Sequence, residues 1–228
     1  KAMALAASAD LIVMALGEKQ DMIGESASRS SLELPGDQQK LLEAVIALGK
    51  PVVLVLFNGR PLNITWANDH VPAILEAWYP GTEGGAAIAN VLVGDVSPGG
   101  KLPFSWARNA GQVPIYYAHN NTQDPGDQDK RYWNEASTPL YPFGYGLSYS
   151  SFAFSNLQLS QSTIKPGALL QVTAVVENTG KSTADEVAQL YLHQRFGSAS
   201  RPVRELKGFE RITLAPGEKK TVSFTLDK

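Results

Sequence analysis

Short apolar runs alternate with stretches of helical spacing through the first hundred residues. "DLIVMAL" (residues 10–16) and "VVLVLF" (Val52–Phe57) are continuous rather than alternating, the pattern of strands buried on both faces. Between them, residues 37–48 carry Leu41, Leu42, Val45, Ile46 and Leu48 at helical spacing, and Gly49 supplies a stop. "VPAILEAWYP" predicts a third strand. "GTEGGAAIANVLVGD" starts with glycines and predicts a helix over residues 86–92 that ends at Gly94. Strands that alternate with helices predict an α/β fold, an open, mostly parallel sheet with helices on both faces. In such sheets ligands bind outside the carboxyl ends of the strands. Three loops leave those ends here: "LGEKQDMIGESASR", "NGRP" and "YPGTEGG".

The pattern changes after about residue 150. "SFAFSNLQLS", "LLQVTAVVEN", "EVAQLYLHQ" and "KKTVSFTLD" are alternating or β-branched, and the turns "KPG", "NTGKS" and "APGE" separate them. Val222, Phe224 and Leu226 fall on one face of the last run. These features predict an all-β sandwich of the fibronectin type III kind, of which about five strands can be traced where about seven are usual. The expected division is an α/β domain over residues 1–110, a connector over 111–150 and the incomplete sandwich over 151–228. The connector is rich in Pro, Gly, Tyr and Trp without periodicity, and its aromatic residues could serve as stacking platforms for sugar rings or as a seal between domains. The loop "HQRFGSASRPVRELKGF" reads as a contact between domains, with Phe196 and Phe209 partly buried.

Composition narrows the classes of function. The 228 residues are 43% hydrophobic and 18% charged, enough to bury a sizeable core. A formal charge of −2 offers no electrostatic footing for nucleic acid. No apolar run reaches the length of a membrane span. With no cysteine there are neither disulfides nor thiolate metal sites. His70, His119 and His193 lack metal-ligand spacing, and neither GxGxxG nor GxxxxGK[ST] occurs, so neither a metal nor another cofactor is expected. The amino terminus has lysine, alanines and an apolar stretch, but Asp10 interrupts it and no small-x-small cleavage site follows. It reads as a helix leading into a strand, and the chain is expected to start and stop inside a longer polypeptide.

The candidate chemistry lies in the first two loops. General acid catalysis at a glycosidic oxygen needs a protonated carboxyl within hydrogen-bond reach of the leaving oxygen. Glu18 and Glu25 are the carboxyls available, although exposed loops commonly carry glutamates of no catalytic use. Arg29 could bind a sugar hydroxyl or pair with a loop carboxylate. Arg60, between Gly59 and Pro61, has a rigid fork of donors suited to vicinal hydroxyls or to a structural ion pair.

Taken in order, "LGEKQDMIGESASRSSLELPGDQQKLLEAV", "GKPVVLVLFNGRPL", "ILEAWYPGTEGGAAIANVLVGDVSPGGKLPFSW", "LYPFGYGLSYSSF" and "RPVRELKGFERITLAPGEKKTVSFTLD" resemble the carboxyl-terminal half of glycoside hydrolase family 3, in particular its periplasmic β-glucosidases. The resemblance runs almost end to end. It implies a β-glucosidase that retains configuration and releases terminal non-reducing β-D-glucosyl residues. The aspartate nucleophile would lie in an amino-terminal (β/α)8 barrel of the same polypeptide. It further implies a β-glucoside or β-gluco-oligosaccharide substrate, no nucleic-acid or membrane partner, and a periplasmic or secreted location; a homodimer is left open. Many members carry the general acid/base on the loop after the first strand of the α/β domain. Glu18 matches the "GE" of some members. Glu25 matches the glutamate of the "EGxDR" motif of others, here "ESASR", with Ser28 in place of the aspartate. Because the strand end holds Glu18 more rigidly, the reading favours Glu18 as donor, with Glu25 as its neighbour and Arg29 and Arg60 binding substrate. The alternatives are a β-xylosidase or exo-glucanase of the same family and, from another class, a non-catalytic module that binds polysaccharide or protein.

Overall fold

A computed structural model describes residues 1–120 and 132–227. The middle of the expected connector, residues 121–131, lies outside the described residues. The chain divides into two compact units. One comprises Lys1–Ile88 and Trp106–Ile115; the other comprises Ala89–Ser105 and the described residues from Tyr116 onward.

The first unit begins with α1 (Ala2–Ser8), β1 (Ile12–Gly17), α2 (Gln38–Ile46) and β2 (Val52–Phe57). It continues through α3 (Thr65–His70) and β3 (Ala73–Glu76), and α4 (Gly84–Val93) follows. The three strands form a parallel sheet in the order β1-β2-β3, with Met14 opposite Leu54 and Leu54 opposite Ile74. The central strand is the continuous apolar run, and Val52, Leu54, Val55 and Leu56 are all buried. Leu42 and Val45 of α2 join this core, which is why the leucine spacing makes a helix here. Gly49 then turns the chain at a φ of 69°, so a left-handed residue follows the helix as its sequence predicts.

Two elements depart from the pattern-based reading. Helix α3, "TWANDH", buries only Ala67, so it has no apolar stripe that a periodicity search could find. Strand β3 keeps only four of the ten residues in "VPAILEAWYP". The chain leaves the sheet after Glu76, and Trp78 takes a left-handed φ of 53°. Trp106 returns to this unit, fully buried, and donates its indole N–H to the Leu62 carbonyl at 2.8 Å.

The second unit holds two antiparallel sheets. One has the order β4-β5-β8, formed by β4 (Phe152–Leu159), β5 (Leu170–Asn178) and β8 (Lys219–Leu226). The other pairs β6 (Ala184–Leu192) with β7 (Glu205–Leu214). Val176, Ala188, Ile212, Leu214 and Val222 form the core, with Phe152 and Phe224 packed against it. Asn178, fully buried, pins the "NTG" turn: its amide donates to the carbonyls of Leu214 at 2.8 Å and Ser182 at 2.9 Å, and its Oδ1 accepts from Ser150 at 2.6 Å. Among the connector aromatics, Tyr117 stacks on Phe143 at 4.1 Å and meets the edge of Tyr191 at 6.2 Å.

The stretch expected to be a loop with two partly buried phenylalanines is corrected. Its last five residues open β7, and both side chains are exposed, Phe196 at 90% and Phe209 at 69%. The reason is the period of two along a strand. The buried residues of β7, Ile212 and Leu214, occupy even positions, so odd-numbered Phe209 faces away from the core.

Candidate active site

The loops after β1, β2 and β3 meet at the carboxyl edge of the parallel sheet. The first is shaped where β1 ends. Gly17 has a φ of 134°, and a Cβ there would collide with the Phe57 carbonyl of the neighbouring strand. Only glycine allows that approach. The Gly17 N–H donates to Gln38 Oε1 at 2.7 Å, and Gln38 Nε2 donates back to the Gly17 carbonyl at 2.8 Å. The next residue is thereby fixed, and its own N–H donates to the Phe57 carbonyl at 2.7 Å.

That residue is Glu18, whose side chain is entirely buried. Arg29 Nη1 donates to its Oε1 at 2.7 Å, and Arg60 Nε stands 3.0 Å from the same oxygen. Arg60 Nε and the Gly59 N–H both donate to Oε2 at 3.3 Å. The guanidinium groups have donors to spare and use them on the loop backbone. Arg60 Nη2 reaches the carbonyls of Met22 at 2.7 Å and Ala27 at 3.1 Å, and Arg29 Nη2 reaches that of Glu33 at 2.7 Å. A buried carboxylate thus sits between two arginines around which the loop from Lys19 to Glu33 is wrapped. Charge-assisted bonds of this kind are the strong ones, and their fixed geometry suits a frame.

Glu25 is placed differently. It is exposed, between Gly24 at a φ of 116° and Ser26 at a φ of 60°, and its carboxyl meets no partner among the described residues. A left-handed non-glycine residue next to a free carboxyl marks a turn held in shape by its surroundings. Arg60 Nη2 on the Ala27 carbonyl is one such hold.

The remaining polar residues lie on the second and third loops. Asn58, at the end of β2, is fully buried; its Nδ2 donates to the Arg60 carbonyl at 2.9 Å and to Glu76 Oε2 at 3.2 Å. Glu76 Oε1 accepts from the Trp78 N–H at 2.9 Å. Burial pushes the Glu76 carboxyl up to about 7, against the lowering pull of the Trp78 N–H and the Asn58 amide. Trp78 tilts against Trp106 at 5.8 Å. The Tyr79 hydroxyl, 3.4 Å from the Glu18 carbonyl, is raised from its ordinary value by burial first and by the Glu18 charge second, with Arg60 opposing. Among the described residues no group of three or more His, Cys, Asp or Glu side chains is placed to hold a metal ion.

A profile for the Glycosyl hydrolase family 3 C-terminal domain matches residues 1–149. The chain belongs to glycoside hydrolase family 3. A second profile, for the Fibronectin type III-like domain, matches residues 186–228. The chain is 49% identical, over its whole length, to a periplasmic beta-glucosidase of Salmonella typhimurium, of which it covers 30%. It is 44% identical over 99% of its length to a beta-xylosidase of Formosa agariphila, covering 31% of that protein. Among solved structures, the beta-glucosidase from Listeria innocua in complex with isofagomine matches with a TM-score of 0.93 and 40% identity, over 99% of this chain and 32% of that one. The chain therefore spans about a third of the length of these relatives.

Within this family 3 domain, the structure unites Glu18, Arg29 and Arg60 in one cluster and leaves Glu25 exposed, apart from them. Neither arginine presents an unused fork: both are committed to Glu18 and to loop carbonyls. Sequence reasoning passed over Asn58, Glu76 and Gln38. The signal for the first two was slight: a polar residue directly after the buried apolar run of β2, and one closing the short, partly buried β3.

Proposed function

We propose that this chain belongs to an exo-acting β-glucosidase of the retaining type, acting on terminal non-reducing β-D-glucosyl residues. Its loops after β1, β2 and β3 form one wall of the sugar site. The nucleophile is an aspartate in an amino-terminal (β/α)8 barrel of the same polypeptide, consistent with the share of its relatives that the chain spans. Glu25 is the proton donor. Glu18 holds the loop that carries it, and Arg29 and Arg60 act through Glu18 rather than on the sugar. One observation carries this assignment: Glu18 is buried and both its oxygens already accept from guanidinium and backbone donors, whereas the Glu25 carboxyl is exposed and free to meet a leaving oxygen. In a retaining site the donor and the nucleophile stand about 5–5.5 Å apart. An exposed loop carboxyl can reach that distance from a barrel aspartate; one locked between two arginines lacks the freedom. The name of the Salmonella relative supports a periplasmic location. The Formosa relative supports a second reading of the substrate, a β-xyloside, at the same site and by the same chemistry.

The test uses the full-length enzyme with Glu25→Ala and Glu18→Ala made separately. Loss of the proton donor slows substrates with poor leaving groups by about 10²–10⁴-fold. Activated aryl glucosides are spared, and azide restores turnover by attacking the glycosyl-enzyme. Glu25→Ala is expected to show this pattern. If Glu18→Ala shows it instead, the two roles are reversed; if neither does, the donor lies outside this loop.

A further inference from the structure

The Glu76 carboxyl lies on none of the assigned positions, yet it joins the second and third loops of the site. Its two oxygens accept from two neutral donors, Asn58 Nδ2 at 3.2 Å and the Trp78 N–H at 2.9 Å. The same Asn58 Nδ2 donates to the carbonyl of Arg60, whose guanidinium grips Glu18. The Trp78 N–H belongs to a residue held at a left-handed φ of 53°, a conformation a tryptophan does not adopt without support. We propose that Glu76 is a positioning residue of this site: its ionised carboxylate sets the Arg60 loop through Asn58 and the Trp78 turn through the backbone N–H.

Two further observations bear on how that carboxylate behaves. Asn58 Oδ1 is buried without a partner, whereas Nδ2 serves two acceptors. Protonated Glu76 gains an O–H that needs an acceptor, and the open one beside it is Asn58 Oδ1. Taking it turns the amide and draws Nδ2 away from the Arg60 carbonyl, because one rotor cannot serve both arrangements. Burial also raises the Glu76 carboxyl to about 7, so the exchange falls near neutral pH. Of the charged groups on the neighbouring loops, Glu18, Arg29 and Arg60 are paired with one another, and Glu25 on the first loop is exposed to solvent. The titratable Tyr79 on the third loop points its hydroxyl at the Glu18 carbonyl. The groups that bond the Glu76 carboxyl itself are neutral. The site is therefore in its working arrangement when Glu76 is ionised and slackens on acidification.

This inference rests on the site proposed above, and the experiment separates the two. Full-length wild type, Glu76→Gln and Asn58→Leu are titrated from pH 4.5 to 8.5. Two readouts are followed: tryptophan fluorescence, corrected by the same titration in Trp78→Phe, and kcat/KM for an aryl β-glucoside. Wild type is expected to show a Trp78 fluorescence transition near 7 and a rise in kcat/KM with pH through the same midpoint. A general acid would give a fall with pH, so the sign excludes the proton donor, and the Glu76→Gln variant separates Glu76 from the nucleophile, whose ionisation also gives a rise. In Glu76→Gln both transitions vanish, and kcat/KM at pH 8 drops about tenfold, the scale of one charge-assisted hydrogen bond. In Asn58→Leu the apolar side chain keeps water out but no longer stabilises the carboxylate, so the midpoint moves upward. A Trp78 transition near 7 that survives in Glu76→Gln overturns the inference. So does an Asn58→Leu midpoint that stays put or falls, which decides the matter even if Glu76→Gln does not fold. If no variant or wild type hydrolyses the glucoside, the proposed function fails, and the fluorescence titration still judges Glu76.

Discussion

The two ends of the loop from Gly17 to Arg29 carry the same functional group in opposite environments. At one end Glu18 leaves a rigid strand, is sealed from solvent and is bonded by two guanidinium groups and a backbone N–H. At the other, Glu25 sits on a tight turn in solvent with no partner among the described residues. Rigid placement alone favours Glu18 for catalysis. Yet what makes a carboxylate rigid here is the set of donors that occupies its oxygens. A group that must give a proton to a substrate and take it back needs an open face, so the better-held carboxylate is the frame and the freer one does the chemistry.

The contrast is broken most directly through rates. With a poor leaving group, Glu25→Gln in the full-length enzyme is expected to lose about 10²–10⁴-fold in kcat while keeping its unfolding midpoint. Steady-state kinetics beside a denaturant curve measure both. An intact rate in Glu25→Gln would move the proton donor elsewhere.

Stability sharpens it next. Glu18→Ala leaves two partly buried guanidinium groups facing each other, and removing one partner from a buried ion pair costs about 3–5 kcal/mol. Glu25→Ala, at an exposed position, should stay within about 0.5 kcal/mol of wild type. Urea unfolding of both variants tests the difference, and equal losses would erase the distinction between frame and donor.

A smaller effect comes from the third carboxyl. Glu76 is raised from an ordinary 4.5 to about 7, so the folded state holds a proton that the unfolded chain has already released between those values. Its stabilising contribution is complete below about 4.5 and is lost as pH rises through about 7. The change is on the order of 2–3 kcal/mol, and Glu76→Gln should remove it from the difference between unfolding free energies at pH 5 and pH 8. The form of Glu76 that best stabilises the fold is then not the form that best orders the site, a trade common where activity depends on a strained arrangement.

The least effect is expected at the surface of the second unit. Phe196→Ser should change stability by no more than about 0.5 kcal/mol, because the side chain is already in water. A larger loss, measured by thermal unfolding of the full-length protein, would mean that another part of the polypeptide covers it.

Much of this arrangement is legible along the chain, and the reasons are local. Continuous apolar runs at β1 and β2, leucine spacing in α2 and alternation in β8 each report burial, and burial is what a periodic pattern encodes. The three loops that leave the carboxyl ends of the strands place a site at the sheet edge. The resemblance of five ordered stretches adds the family. Helix α3 was not legible because it buries one alanine, and Phe209 was misread because its facing depends on the register of β7 against β6. Most of all, no pattern distinguishes Glu18 from Glu25. Their difference arises because Arg29, eleven residues away, and Arg60, on another loop, converge on one carboxylate and not the other. The sequence by itself determined which elements form and which residue types gather at the strand ends. Tertiary structure alone decided which of those residues touch, and a carboxyl's role follows from its partners.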